Sequence, residues 1–161
     1  MKKKGFTLIE TLVVVAIIGI IVTIVSISLL GARNKARDIK RKAEISQIGR
    51  LLVMSCYLPD SGAGDYDLLP IAQEVMAKNP QYNQYIKNIP KDPKTGSNTE
   101  SGYRYIVNEG ASKCALYANL ENEKEPITLQ IIIPTPKGGT GVFRADSNGW
   151  NGTPFYFQYS N

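Results

Sequence analysis

The chain has 161 residues, is 43% hydrophobic and 20% charged, and carries a formal net charge of +5 with no histidine. That length leaves room for one small domain beside a long apolar segment and argues against a multidomain enzyme. The lack of histidine removes the usual base for a serine or cysteine nucleophile and the commonest metal ligand.

In chain order, Lys2, Lys3 and Lys4 precede Gly5-Phe6-Thr7-Leu8-Ile9-Glu10 and an apolar run that reaches residue 32. About 20 apolar residues cross the roughly 30 Å hydrocarbon layer as a helix, and residues 12–32 supply them. The run is rich in Val and Ile, which lower helix propensity in water but suit lipid, where backbone groups must pair internally. Gly19, Ser26, Ser28 and Gly31 are its soft points, and no proline falls between Gly5 and Pro59. Glu10 is the anomaly. A charged side chain in the apolar part of a membrane helix costs roughly 2.5–3.5 kcal/mol and is tolerated mainly where it meets a partner. An ordinary single-pass anchor explains the length but not the acid. A cleavable secretory signal would end in a small-residue site such as Ala-x-Ala and seldom carries an acid at the head of its core.

Residues 33–58 continue as helix, with Ala36, Ile39, Ala43, Ile45, Ile48, Leu52 and Cys56 outlining one face and Pro59 marking the end. Arg33, Lys35, Arg37, Lys40, Arg41 and Lys42 follow the apolar run, outnumbering the lysines before it, so the positive-inside rule taken alone puts the carboxyl side in the cytoplasm. Beyond Pro59, residues 60–65 are a loop by their turn residues, and residues 68–78 predict a short helix packing through Ile71, Val75 and Met76. Asp60, Asp65 and Asp67 are close in sequence but lack the spacing of a calcium loop, and read as turn chemistry. Ile89-Pro90-Lys91-Asp92-Pro93-Lys94-Thr95-Gly96 is a rigid turn. Strands are predicted at 103–107, 114–120, 127–133, 141–144 and 155–159, with Asn108-Glu109-Gly110 as a hairpin connection. Pro134, Pro136, Gly138 and Gly139 suggest an irregular crossing late in the chain. The fold class is therefore α+β, a long helix packed on a small antiparallel sheet. The nine tyrosines sit mostly in or beside predicted strands as packing material, and Trp150 reads as an anchor for the terminal loops.

The block from Lys2 to about residue 32 resembles the amino-terminal signature of type IV prepilins and of type II secretion pseudopilins, and the segment 89–96 resembles one that precedes the sheet in pseudopilins and short pilins. The resemblance implies a membrane peptidase that cuts after Gly5 and methylates the new amino terminus at Phe6. It implies an inter-subunit salt bridge between Glu10 and the Phe6 amine of a neighbour, with Thr7 satisfying nearby backbone groups. Residues 1–5 would be the leader, 6–32 the membrane and polymerisation helix, 33–58 the amphipathic half of the stem, and 59–161 the α+β head. The implied function is a structural subunit of a type IV pilus or pilus-like filament. The alternatives are a pseudopilin of a type II secretion or competence and DNA-uptake system, and a membrane-anchored monomeric binding domain. No catalytic residue and no cofactor are implied, beyond calcium in some major pseudopilins, for which Asp146, Ser147, Asn148 and Asn151 offer oxygen donors with one carboxylate among them.

The implied partners are copies of the chain, the prepilin peptidase, an inner-membrane assembly platform with its cytoplasmic ATPase, and membrane lipid before assembly. The head would be extracytoplasmic, first on an inner-membrane anchor and then on a surface or periplasm-spanning filament, opposite to the orientation that the basic residues favour. Leader removal takes away three of the positive charges, so nucleic acid gains little support as a partner beyond a basic stripe. An extracytoplasmic head permits a Cys56–Cys114 disulfide from the helix end to a strand start, the alternative being two buried free thiols. Asn151-Gly152-Thr153 also fits the short glycosylation triplet.

Overall fold

The structure is a computed structural model that describes residues 5, 7–52, 55–84 and 88–160. Helix α1, Leu8–Leu52, runs for 45 residues. Its first half is apolar and exposed all round, as Leu8 at 79% and Ile20 at 64% illustrate. Hydroxyls within it are satisfied locally: Thr23 Oγ1 donates to Gly19 O at 2.9 Å and Ser26 Oγ to Val22 O at 2.8 Å. The helix is continuous through Gly19 and Gly31.

Two expectations about α1 need correction. The helix is described as far as Leu52 and does not continue to Leu58, since Ser55–Pro59 are not helical. Tertiary partners take the backbone groups that another helical turn would have used. The Tyr57 N–H donates to the Tyr105 hydroxyl at 2.9 Å, that hydroxyl donates to Tyr57 O at 2.7 Å, and Cys56 is bonded to Cys114. The buried face also differs. Asp38, Arg41, Ile45, Ile48 and Gly49 face the head, whereas Ala36, Ala43 and Ile39, the last 58% exposed, face away. Spacings of three and four define the buried stripe, as a helix requires, but a charged pair occupies its lower end.

Strand β1 (Gly64–Asp67) leads into helix α2 (Leu68–Lys78) and a 3-10 turn at Pro80–Gln84. Then come β2 (Arg104–Val107), a short 3-10 turn at Glu109–Ala111, β3 (Cys114–Asn119), β4 (Gly141–Arg144) and β5 (Phe155–Ser160). All pairs are antiparallel, in the order β1-β2-β3-β5-β4. Asp67 caps α2, accepting from Leu69 N at 2.8 Å, and also accepts from Ser101 N and Gly102 N at 2.9 and 3.1 Å. Asp67 is thus the last residue of β1 and the N-cap of α2, and not the loop residue that was expected.

Two strand expectations fail. Gly64 and Asp65 were expected in a loop but pair with Val107 and Ile106 in β1, an edge strand without apolar alternation. Arg104 bonds Asp65 Oδ1 at 3.1 Å and the Tyr117 hydroxyl bonds Asp65 Oδ2 at 2.5 Å, so polar contacts hold that edge. Residues 127–133 form no strand. Thr128 N and Leu129 N both reach Val142 O, at 2.8 and 2.9 Å, so the segment touches β4 at one point and then leaves. Leu129 and Ile131 pack across the far face of the sheet against Tyr117, Phe143 and Tyr156, while Ile132 and Ile133 stay 59% and 65% exposed.

The main core lies on the near face, where Ile45 and Ile48 of α1 and Leu68, Ile71 and Val75 of α2 meet Tyr103, Tyr105, Leu116, Ala118 and Phe157. Helix α1 comes close to β5 at Gly49: a Cβ there would lie 2.4 Å from Tyr159 Cδ1. Helix propensity alone favours Leu over Gly by about 0.5–1 kcal/mol, whereas overpacking costs about 1–3 kcal/mol. Gly49→Leu is therefore expected to lower the melting temperature of the full chain in detergent, and a rise would show that α1 does not sit against β5 this closely.

Candidate functional site

Helix α1 begins with a reciprocal cap. The amide and hydroxyl of Thr7 both donate to Glu10 Oε2, each at 2.8 Å, and Glu10 N donates to Thr7 Oγ1 at 3.3 Å. A helix amino terminus leaves its first amides unpaired at the positive end of the dipole, and Thr-x-x-Glu is the capping box that answers both conditions. Thr7-x-x-Glu10 is the sequence signal for this cap, a partner for Glu10 within its own chain. The structure brings Thr7 and Glu10 together within one chain. Gly5 is exposed beside them. Phe6, the expected methylation site and amine donor, lies outside the described residues.

A second charged cluster, unforeseen in the sequence, joins the stem to the head. Arg41 is fully buried. Its Nε donates to Asp92 Oδ2 at 2.7 Å and its Nη2 to Asp92 Oδ1 at 2.9 Å, while Nη1 reaches Asp38 Oδ1 at 2.6 Å. Nη2 also lies 2.8 Å from Glu121 Oε1. Arg37 grips the same Glu121 through two bonds of 2.7 Å. Asp38 accepts from Glu121 N at 3.0 and 3.1 Å and from Asn122 N at 2.8 Å. Lys42 pairs with Glu125. Burial works to lower the Arg41 pKa, but the hydrogen bonds it donates to Asp92, Glu121 and Asp38 outweigh that effect and raise the value above its ordinary range. Burial works to raise Asp92, but Arg41, the Lys94 and Thr95 amides and Asn151 hold it down to about 2. Glu121 is lowered chiefly by Arg37, against an opposing effect of burial.

The other candidate residues divide by exposure. Cys56 and Cys114 form a disulfide with Cα atoms 5.7 Å apart. The bridge therefore leaves the segment after the helix and not the helix end itself. Asp146, Ser147 and Asn148 are exposed, whereas Asn151 is buried and committed. Its Nδ2 donates to Asp92 Oδ2 at 3.0 Å and to Asn119 O at 2.8 Å, which also removes that nitrogen from the surface a glycan would need. Among the described residues no three His, Cys, Asp or Glu side chains gather as a metal site. Trp150 packs edge-on to Tyr156 at 5.7 Å and lies 6.2 Å from Tyr117, anchoring the loop after β4.

Residues 1–31 match the family described as the prokaryotic N-terminal methylation motif. The chain is similar to the type II secretion system core protein G of Vibrio cholerae, with 34% identity over 96 residues that cover 57% of this chain and 66% of that protein. It is similar to the Escherichia coli protein of the same name, with 32% identity over 97 residues covering 57% of this chain and 67% of the relative. The chain thus spans about two thirds of the length of these curated relatives. No solved structure matches it.

Removing one partner of a buried ion pair costs about 3–5 kcal/mol because the others are left uncompensated. Arg41→Ala is expected to lose about that much, measured by denaturant unfolding of the full chain in detergent. Asp92 has a depressed folded pKa, so its stabilisation is fully present above the ordinary carboxylate value near about 4 and is lost as pH falls towards about 2. The stability of wild type is expected to drop across that window, and Asp92→Asn, though less stable at neutral pH, is expected to show a shallower drop there. Identical acid slopes for the two proteins would contradict the assignment.

Proposed function

The chain belongs to the type IV pilin and type II secretion pseudopilin family, and from that membership we propose how it works as a filament subunit that does no chemistry of its own. The observation that carries the mechanism is the placement of Glu10 at the start of a helix whose first half exposes apolar side chains that no other described residue covers. Lipid covers that surface before assembly, and other stems cover it afterwards.

In the membrane, Thr7 holds Glu10 so that the carboxylate never faces hydrocarbon alone. A prepilin peptidase then cuts after Gly5 and methylates Phe6, placing a cationic amine beside apolar surface. Glu10 of one subunit approaches the Phe6 amine of a neighbour, each relieves the desolvation of the other, and the pairing sets the stagger between stems. The head stays on the outer side of the inner membrane, and an assembly platform driven by a cytoplasmic ATPase extracts the subunit. Both relatives being named as type II secretion core proteins favours a secretion pseudopilus over a long surface pilus.

Capping and charge are separable in one substitution. Glu10→Gln keeps an acceptor suited to the capping box but removes the charge, whereas Glu10→Ala removes both. Both variants are expected to insert in the membrane and to abolish fibres in electron micrographs of sheared surface material from an overproducing strain. Normal fibres from Glu10→Gln would reduce Glu10 to a helix cap. Gly5→Val is expected to leave the leader uncut, read as an intact Met1 by mass spectrometry.

A further inference from the structure

We propose that β3 is a tension splint for the upper stem, an inference that rests on the filament reading only in supposing that the stem is pulled. Each end of β3 is tied to α1 or to the segment immediately after it. At its start, Cys114 is covalently bonded to Cys56. Just past its end, the Glu121 and Asn122 amides bond the Asp38 carboxylate, while Arg37 and Arg41 hold the Glu121 carboxylate. Between the ties, Ile45 and Ile48 share one core with Leu116 and Ala118. Helix and strand run side by side in opposite directions, and β3 is the central strand of the sheet.

Length makes this arrangement mechanical. From Asp38 to Leu52 the helix rises about 21 Å, and a strand from Cys114 to Glu121 covers about 23 Å. A helix resists stretching through hydrogen bonds that open turn by turn, and each freed residue can lengthen from about 1.5 to about 3.5 Å. An extended strand has almost no such slack. The helix between the ties therefore cannot unwind unless a tie fails or β3 is torn from β2 and β5. Extension is confined to the stem below Asp38, where Gly19, Ser26, Ser28 and Gly31 lie. Strands β4 and β5 follow the lower tie in the chain and belong to neither anchorage.

Hydrogen exchange of the full chain in detergent, read by mass spectrometry, tests the splint without requiring a polymer. Cys56→Ser with Cys114→Ser cuts the upper tie, and Val142→Ala in β4 serves as the control, the two compared at denaturant concentrations that equalise their global stability. At matched stability the double variant is expected to exchange α1 amides 42–52 about tenfold faster than the control, with amides before residue 38 unchanged. Chemical reduction of the folded wild type should reproduce the pattern if the double variant fails to fold. An equal rise in variant and control, or one spread evenly along α1, overturns the splint. Fibres stretched at constant force should lengthen further after reduction than before, and equal lengthening also overturns it. Absence of fibres from wild type would instead sink the filament reading, leaving the exchange result to stand by itself.

Discussion

The buried guanidinium of Arg41 determines how the stem meets the head. A lone cation at zero exposure would be prohibitive, and this one is answered by Asp38, Asp92 and Glu121 with bonds on all three of its nitrogens. The planar fork of arginine suits such a site in a way the point charge of lysine does not. A buried ion pair is weak evidence of net stability, because apolar residues of the same volume often do as well. Its stronger consequence here is geometric. Asp92 comes from the loop before β2 and Glu121 from the end of β3, so satisfying Arg41 sets both the rotation of α1 about its axis and its height on the sheet.

That rotation decides which surface is left for other molecules. With Asp38, Arg41, Ile45 and Ile48 turned inward, Ala36, Ile39 and Ala43 continue the exposed apolar surface of the lower stem on the opposite side. Small residues at such positions let helix backbones approach closely. The head thus takes one side of the upper stem and leaves the other exposed.

Much of this was readable from local rules. Helix α2 falls on 68–78 as predicted because Asp67 supplies an N-cap and Asn79-Pro80 a stop. Strands β2, β3, β4 and β5 lie within a residue of their predicted bounds, since each is buried on at least one face. The failures share a cause. The inward face of α1 was misjudged because apolar periodicity treats Arg41 and Asp38 as solvent-facing, and only residues 51 and 80 positions away show that they are not. Strand β1 is held by an acid, an arginine and a tyrosine hydroxyl instead of alternation, so its composition looks like a turn. Residues 127–133 have strand composition but meet a partner only four residues long that already pairs with β5 along its whole length. At the amino terminus, the charge of Glu10 points to a partner in another subunit, whereas its immediate partner is the threonine three residues earlier.

The basic residues after the apolar run illustrate the same dependence on distant chain. Counted by sequence, Arg33, Lys35, Arg37, Lys40, Arg41 and Lys42 argue for a cytoplasmic head. In the folded protein Arg37, Arg41 and Lys42 are matched by Glu121, Asp92 and Glu125, acids that a count restricted to the flanks of the span never reaches. Folding thus pairs half of the six cations with acids of the head. Among the described residues, the three of these cations that make no ion pair with the head are Arg33, Lys35 and Lys40, the last 3.7 Å from Glu44 of its own helix. Half of the basic residues that a count along the sequence sets against an outward head are thus the ones that tie the head to its stem.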